Sequence, residues 1–165
     1  MQIKAGDVDI RVINGYGPQE CDNRINVNSF WQEIEIAIES AKEENCFVIL
    51  QMDANAKLGK HIIPGDPNEM SENGKILNEL VKRQNLTVLN SLELCQGVIT
   101  RQRVTQSVSE KAVIDYIIVC DQMSKFVNEV IIDDHRIHTF TKCVDSKGPK
   151  EPIVSDHNNL YSKFY

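Results

Sequence analysis

The feature that most constrains the fold is segment 46–60, in which a short apolar run gives way abruptly to polar residues. Residues 47–50 are apolar and form a run long enough for a strand that is covered on both faces. Asp53 and Asn55 follow just past its carboxyl end, where open α/β sheets usually bind their ligands. Asp and Asn also end strands in ordinary Asx turns. The segment therefore predicts a buried strand that ends in either a ligand site or a plain turn.

The composition excludes several classes of protein. The 165 residues, 41% apolar and 25% charged, are typical of a single soluble globular domain. No apolar span is long enough for a membrane, and the first residues do not resemble a signal peptide. The five cysteines are widely spaced without a C-x-x-C motif, so we expect reduced thiols and a nuclear or cytoplasmic location. The net charge of −6 argues against nucleic-acid binding by bulk charge, but clustered acids can hold a divalent cation that reverses the local field.

The rest of the chain predicts an alternation of strands and helices. Residues 8–13 alternate as a strand and end in the turn-rich segment 14–18. Ser29 with Gln32 matches a capping box, and apolar residues at helical spacing then predict a helix to about Glu44. A second helix is expected from just after Ser71 to near Asn85. The remaining expected elements are a loop at 61–69, strands at 86–89, 100–104, 112–120, 128–132, 137–144 and 160–164, and a loop at 145–151.

Polar groups interrupt these apolar strands at three places. They are Asp53 with Asn55, Asp115 inside the run 113–119, and Asp156 with His157. A buried carboxylate needs a partner or a function. A buried arginine beside Asp115, and a plain turn at 155–157, would explain two of these groups without any chemistry. The three together favour one shared site.

These segments resemble, in the same order, the motifs of the endonuclease/exonuclease/phosphatase superfamily. The segments are NGYGP at 14–18, QMDAN at 51–55, Thr100 followed by VIDYIIV at 113–119, and SDHNNL at 155–160. They are most similar to the endonuclease domains of non-LTR retrotransposons and their domesticated relatives, which resemble abasic-site endonucleases and DNase I. The resemblance runs from about Asp9 to Phe164. It implies an α/β, layered fold, the second half of a DNase I-like four-layer β-sandwich flanked by helices.

The resemblance also implies roles for the central polar residues. Asp53 would align and activate the attacking water, and Asn55 would hydrogen-bond the scissile phosphate or the nucleophile. Asp115 would accept a hydrogen bond from His157 and fix the tautomer of its ring. His157 would then contact a phosphate oxygen. We expect His157 within hydrogen-bond reach of Asp115, with Asp53 and Asn55 lining the same cleft.

Three further residues complete the site that the resemblance implies. Tyr16 would donate a hydrogen bond to the phosphate, Asn14 is a second candidate for phosphate binding, and Asp156 would lie at a metal site. The implied reaction is in-line displacement at phosphorus in DNA, with Mg²⁺ or Mn²⁺ as the Lewis acid. Hard oxygen ligands favour these two ions over zinc.

Two departures from the family pattern carry expectations of their own. Met52 stands where the family has glycine, so we expect it to shift Asp53 or to crowd the phosphate. The chain also matches only the second half of the family's domain, so residues 1–165 are expected to form one partial domain. That domain would lack the glutamate that is the family's principal metal ligand. The expected consequences are weak or absent metal binding and nuclease activity, and an open sheet face that is covered by self-association or by a companion N-terminal half.

The sequence leaves alternatives to a DNA endonuclease open. A phosphatase of the same superfamily uses the same motifs, and a non-catalytic remnant could serve as an interaction or assembly module. The cations Arg101, Arg103 and Lys111 fall on or beside a predicted hairpin. They are expected either to contact a phosphate backbone or to form an ordinary solvated surface.

Overall fold

The structure, a computed structural model, describes residues 1–104, 109–135, 141–142 and 153–165. It is a mixed α/β arrangement, as the sequence predicts. The helices are α1 (Arg24–Glu43), α2 (Glu72–Arg83) and the four-residue α3 (Asp121–Ser124), with a 3-10 turn at Leu89–Ser91. The strands are β1 (Gln2–Ala5), β2 (Val8–Tyr16), β3 (Phe47–Asp53), β4 (Leu86–Val88), β5 (Cys95–Gln96), β6 (Arg101–Val104), β7 (Ser109–Ala112), β8 (Asp115–Cys120), β9 (Val127–Ile132), β10 (Thr141–Lys142), β11 (Ile153–Val154) and β12 (Leu160–Phe164).

A five-stranded sheet in the order β1-β2-β3-β8-β4 forms the centre of the fold. β2 and β3 run parallel because α1 carries the chain back between them, and the other neighbours are antiparallel. A smaller sheet has the order β12-β9-β5, and β6 and β7 form a hairpin. The predicted strand–helix–strand unit is therefore confirmed, and the layered α/β architecture with it.

The register of the central sheet decides which side chains share a face. Tyr16 pairs with Asp53 across the parallel ladder, and Asp53 pairs with Asp115 across the antiparallel one. These three residues therefore lie on one face. Met52 lies on the other face, where a Cβ on Gly15 would approach both its Cε (3.2 Å) and the Phe30 ring of α1 (3.5 Å). The expectation that Met52 displaces Asp53 or crowds a phosphate is thus wrong, because its side chain is buried beneath α1.

The hydrophobic core lies between the central sheet and the two long helices. α1 buries one stripe of its surface, and α2 adds Leu77 and Leu80. The buried residues of α1 are Val27, Trp31, Ile34, Ile38 and Ala41. Trp31 is 4% exposed and serves packing. Truncating a fully buried aliphatic side chain such as Leu50 typically costs about 2–5 kcal/mol.

The first helix begins earlier than the sequence predicts. Its N-cap is Asn23, whose Oδ1 accepts the N–H of Ile25 at 2.9 Å. Ser29 lies inside the helix, with its Oγ 3.5 Å from a Glu33 carboxylate oxygen. The capping box at Ser29 is therefore wrong, because burial of Val27 against the core extends the helix towards the N-terminus. The second helix is capped by Ser71, as predicted, through a 3.1 Å bond from the N–H of Gly74.

Several strands differ from their predicted bounds. β2 continues to Tyr16, so residues 14–16 are strand rather than turn because they pair with residues 51–53. The predicted strand 112–120 is interrupted at Val113 and Ile114, which separate β7 from β8. The sequence analysis missed β1 and β5. The four residues of β1 are all exposed, so the strand has no apolar alternation and exists only through its pairing with β2.

Of the other predicted segments, one agrees with the structure and two lie largely outside the described residues. The last strand has the predicted bounds, Leu160–Phe164. The predicted strand 137–144 and loop 145–151 lie outside the described residues, except for the short β10. Among the described residues, no helix is both long enough and apolar enough to span a membrane.

The open sheet face predicted from the sequence is present only in part. On β8, Ile117 and Val119 are 2% and 0% exposed, and β12 lies against this strand. The expectation of an uncovered face along residues 113–119 is thus wrong. On the β1–β3 side, Asn14 and Gln51 are exposed and Ile3 is 42% exposed. The open region is therefore limited to the first three strands of the sheet.

The corrected start of α1 gives a direct test of the local structure. We expect Asn23→Ala to lower the free energy of unfolding by about 1 kcal/mol, because the first turn loses its side-chain acceptor. Ser29→Ala, the matched control within the same helix, should change it by less than about 0.5 kcal/mol. Urea denaturation of the two variants measures both effects. A larger loss for Ser29→Ala would return the helix start to the sequence-predicted position.

Candidate active site

A cleft of about 990 Å³ opens beside the carboxyl ends of β2 and β3. Five of the residues singled out in the sequence line it, together with four cations. The five are Tyr16, Asp53, Asn55, Asp156 and His157, and the cations are Lys57, Arg101, Arg103 and Lys111. The chain thus brings three distant sequence segments to one concave surface, at the edge where α/β sheets usually place ligand sites.

The contact between His157 and Asp115 that the sequence predicts is present. Nδ1 of His157 lies 3.0 Å from both carboxylate oxygens of Asp115. An ionised carboxylate only accepts hydrogen bonds, so Nδ1 must carry the proton that it donates. The opposite ring atom, Nε2, lies 3.8 Å from Oδ2 of Asp53. The bond to Asp115 raises the pKa of His157 above its ordinary value although burial opposes the rise, and it favours the charged ring.

Asp53 and Asn55 form a compact turn at the end of β3. Oδ1 of Asp53 accepts the backbone N–H of Asn55 at 3.1 Å. Burial raises the pKa of Asp53, and the charge of Asp115 adds to the rise, although the Asn55 hydrogen bond lowers it. Asn55 has a φ of 45°, a left-handed conformation that Asn adopts more readily than most residues. Two half-buried carboxylates thus lie close together with their negative charge incompletely balanced.

The side chain of Asn55 joins this turn to the end of β2. Its Nδ2 donates to the carbonyl of Gly17 at 2.8 Å, and the N–H of Gly17 donates to the carbonyl of Asp53 at 2.6 Å. A Cβ on Gly17 would lie 2.2 Å from the carbonyl oxygen of Ala54, so glycine is required for this close approach. The segment that follows Tyr16 is therefore fixed against the Asp53 turn.

Asp156 forms an ion pair with Arg101 in the wall of the cleft. Its Oδ2 accepts a bond from Nε of Arg101 at 2.9 Å, and its Oδ1 lies 3.9 Å from Nε2 of His157. Burial alone would raise the pKa of Asp156, but the hydrogen bond and charge of Arg101 bring it below its ordinary value. The sequence analysis did not predict this ion pair, because the two residues are far apart in the chain.

Two carboxylates and a histidine lie close enough together to be considered as ligands for a cation. Ligand atoms of Asp53, Asp115 and His157 all lie within 4.8 Å of one another. Carboxylate oxygens are the ligands that Mg²⁺ and Mn²⁺ prefer, and a cation would also offset the charge that raises the pKa of Asp53. The carboxylates of this set therefore fit a divalent ion, whereas the ring of His157, which donates to Asp115, serves as a hydrogen-bond donor rather than a ligand.

Tyr16 and Asn14 lie on the same strand but reach different surfaces. Tyr16 is 70% exposed and stands in the wall of the cleft. Asn14 lies two residues earlier and lines a smaller adjoining depression with Gln51 and Asn159. The structure thus brings Tyr16, but not Asn14, into the lining of the main cleft.

Two buried residues whose role the sequence analysis missed hold Asp115 in place. Oγ1 of Thr100, which is 0% exposed, accepts the N–H groups of Ile114 at 2.9 Å and of Asp115 at 3.0 Å. The Asn90 amide donates to the carbonyl of Asp115 at 3.0 Å and accepts the N–H of Ile117 at 3.2 Å. Both backbone polar groups of Asp115 are therefore satisfied by buried side chains. No local pattern marks Asn90, because its role depends on the register of β8.

The raised pKa of His157 gives a prediction about pH. In metal-free buffer, NMR titration should place the His157 pKa above about 6.5, the ordinary value for histidine. Asp115→Asn should lower it, because the ring loses its charged acceptor. Asp121→Asn, at the far end of β8, is the matched control and should leave the His157 pKa in place.

The raised pKa of His157 also predicts how the free energy of unfolding depends on pH. Because the folded-state pKa is raised, the pair stabilises the fold fully below about pH 6.5. This stabilisation is lost as the pH rises through the folded-state pKa. The difference in free energy of unfolding between the wild-type chain and Asp115→Asn should therefore shrink over that range. A wild-type His157 pKa at or below 6.5 would contradict the prediction.

Comparison with known proteins places the fold. No family model and no curated protein sequence matches the chain. Among solved structures, the endonuclease domain of TRAS1, a telomere-specific non-LTR retrotransposon, has a TM-score of 0.70 at 18% identity over 99% of this chain and 61% of its own. The 3′-5′ exonuclease NExo from Neisseria meningitidis has a TM-score of 0.67 at 16% identity, over 94% of this chain and 61% of its own. An AP endonuclease from Archaeoglobus fulgidus has a TM-score of 0.58 at 16% identity, over 99% and 63%.

The chain therefore spans less than two thirds of the length of each of these structures. Identities of 16–18% establish the architecture rather than the chemistry. Another structure with the same architecture belongs to an endonuclease/exonuclease/phosphatase family protein from Bacteroides thetaiotaomicron. The chain has the DNase I-like fold of the endonuclease/exonuclease/phosphatase proteins.

Proposed function

We propose that this chain carries the residues for metal-dependent hydrolysis of phosphodiester bonds in DNA, as an endonuclease of the nuclear or cytoplasmic compartment. The observation that carries the proposal is the Asp115–His157 hydrogen bond beside Asp53 and Asn55 in one cleft. The similar structures add support, since they include two endonucleases and a Neisseria 3′ phosphatase bound to a product DNA hairpin. The four described cysteines are free thiols, in keeping with a reducing compartment.

Each of the cleft residues has its own role in the proposed reaction. Asp53 in its ionised form orients a water molecule for attack on phosphorus and takes up its proton, while the ester bond from phosphorus to the leaving strand breaks and the departing oxygen takes a proton from solvent. His157, held by Asp115, presents the N–H of Nε2 to a non-bridging phosphate oxygen. The second N–H of the Asn55 amide and the hydroxyl of Tyr16 are the further donors to the phosphate.

Mg²⁺ or Mn²⁺ is the cofactor that this proposal requires. Asp53 is the carboxylate of the donor cluster that faces the cleft, and Asp156 lies on the same wall. These two carboxylates would hold the ion, which when bound supplies Lewis-acid stabilisation of the charge that develops on the phosphate.

A nicking assay on supercoiled plasmid tests the proposed reaction. The wild-type chain should convert the plasmid to its nicked form with Mg²⁺ or Mn²⁺ but not with EDTA. Asp53→Asn and His157→Ala should each slow nicking by about 100-fold or more, because each removes a group that acts in the transition state. The exposed residues Asp7 and His61 provide the matched controls, Asp7→Asn and His61→Ala, which should nick at the wild-type rate.

Other outcomes of this assay assign other functions. Nicking that survives EDTA, or that proceeds at full rate in Asp53→Asn, would contradict the proposed mechanism. Release of inorganic phosphate from a terminally phosphorylated oligonucleotide, without nicking, would assign the phosphatase alternative. If the wild-type chain shows neither activity, the interaction module becomes the better description.

We also infer that a second polypeptide segment covers the open face of β1–β3, either from another copy of the chain or from a companion N-terminal half. Ile3 is 42% exposed there, and Asn14 and Gln51 are exposed on the neighbouring strands. The similar structures are also considerably longer than this chain. An exposed apolar surface at the edge of a sheet favours such pairing.

Sedimentation velocity at tens of micromolar tests this inference. We expect the wild-type chain to sediment as a dimer or larger, and Ile3→Glu to shift it towards the monomer. Ile36→Glu is the matched control, because Ile36 is 57% exposed on α1, away from this face. A wild-type monomer that gains neither mass nor activity when a related N-terminal half is added would overturn the inference.

A further inference from the structure

Arg101 stands in the cleft wall on a backbone that is fixed to the Asp156–His157 segment. Arg101 and His157 form an isolated antiparallel bridge. On either side of this bridge, the N–H of Gln102 donates to the carbonyl of Asp156 at 2.7 Å, and the N–H of Asn158 donates to the carbonyl of Thr100 at 2.6 Å. The backbone of Arg101 is thus held by hydrogen bonds to the segment that contains Asp156 and His157.

The guanidinium group of Arg101 is only partly engaged. It has five N–H donors, and Nε donates one of them to Asp156 at 2.9 Å. Within the part of the chain that the structure describes, the terminal nitrogens of Arg101 make no hydrogen bond. The side chain is 32% exposed, and its positive charge offsets a small part of the rise that burial causes in the pKa of Asp53. Four donors therefore remain for a ligand beside the carboxylate assigned to the attacking water.

The charge of the cleft differs from that of the whole chain. The chain carries a net charge of −6. The cleft, by contrast, is lined by four cations and four carboxylates, namely Lys57, Arg101, Arg103 and Lys111 against Glu20, Asp53, Glu110 and Asp156. The cleft is thus balanced in charge although the chain as a whole is acidic, so it repels a polyanion less than the rest of the surface does.

We propose that Arg101 binds the non-bridging oxygens of a DNA phosphate in the cleft, and that Asp156 orients its guanidinium by holding Nε. A planar guanidinium presents two parallel N–H groups that match a phosphate, which the ammonium of lysine does not. An exposed ion pair contributes little to stability by itself, so stability alone gives no reason for an arginine at this position. The assignment rests on the proposed DNA substrate and adds a binding residue that the sequence motifs do not contain.

DNA binding in EDTA tests Arg101 separately from hydrolysis. The probe is a fluorescein-labelled DNA duplex of about 20 base pairs, titrated by fluorescence anisotropy at several NaCl concentrations. We expect Arg101→Gln to weaken binding by about tenfold or more and to reduce the slope of log K against log salt by about one. The DNA affinity of Arg101→Lys should fall between those of the wild-type chain and Arg101→Gln, because lysine keeps the positive charge but lacks the two parallel N–H groups.

Arg83 provides a matched control. It forms a bidentate pair with Glu35 on the exposed helices and does not line the cleft. Arg83→Gln removes the same charge and an equivalent ion pair, so it should leave the salt slope unchanged. A purely structural role for Arg101 would lower the free energy of unfolding in Arg101→Gln without changing the slope. If Arg101→Gln fails to fold, as judged by circular dichroism, Arg101→Lys carries the test.

The outcomes separate this inference from the proposed function. Weaker binding and a shallower slope in Arg101→Gln, without metal-dependent nicking by any variant, would support Arg101 as a phosphate-binding residue and remove the nuclease proposal. Wild-type binding and slope in Arg101→Gln, with metal-dependent nicking intact, would overturn the role of Arg101 alone. A wild-type chain that shows neither salt-dependent binding nor nicking would overturn both.

Discussion

Two carboxylates face each other across the β3–β8 ladder, and most features of the site follow from that pairing. Asp53 and Asp115 are direct cross-strand partners. Like charges in that position repel, so the sheet end needs positive groups and hydrogen-bond donors nearby. His157 contacts Asp115, and Arg101 places a positive charge near Asp53 and binds Asp156. The strand register thus dictates where the cationic groups must lie.

The cationic side chains, His157 and Arg101, lie on segments outside the central sheet. β6 and the segment 155–158 are linked by backbone hydrogen bonds rather than by extension of the central sheet. Thr100 connects these segments to β8, because its buried hydroxyl accepts two of the N–H groups at the start of that strand. The acids therefore stand on the rigid sheet, while the histidine and arginine approach from a separate layer that is fixed to it at Thr100.

The sequence was informative where burial is complete on both faces of a strand. The apolar runs predicted β3 and most of β8, and the resemblance to the family motifs supplied the contact between Asp115 and His157. Features that depend on pairing between distant residues escaped prediction. Asn23 rather than Ser29 caps the first helix because tertiary burial of Val27 extends the helix, and the Arg101–Asp156 pair joins β6 to a distant segment that shares no local pattern with it.

The central sheet changes width along its length. β1 pairs only with the first half of β2, and β4 pairs only with the last half of β8, so both edge strands lie at the end away from the cleft. Five strands support that end, and three support the end that carries Tyr16, Asp53 and Asp115. At the narrow end, the amide of Asn90 takes the place of a missing neighbour strand beside β8. The ladder around the cleft can consequently open with fewer broken hydrogen bonds than the wide end, so local fluctuations that admit a ligand need not spread into the core.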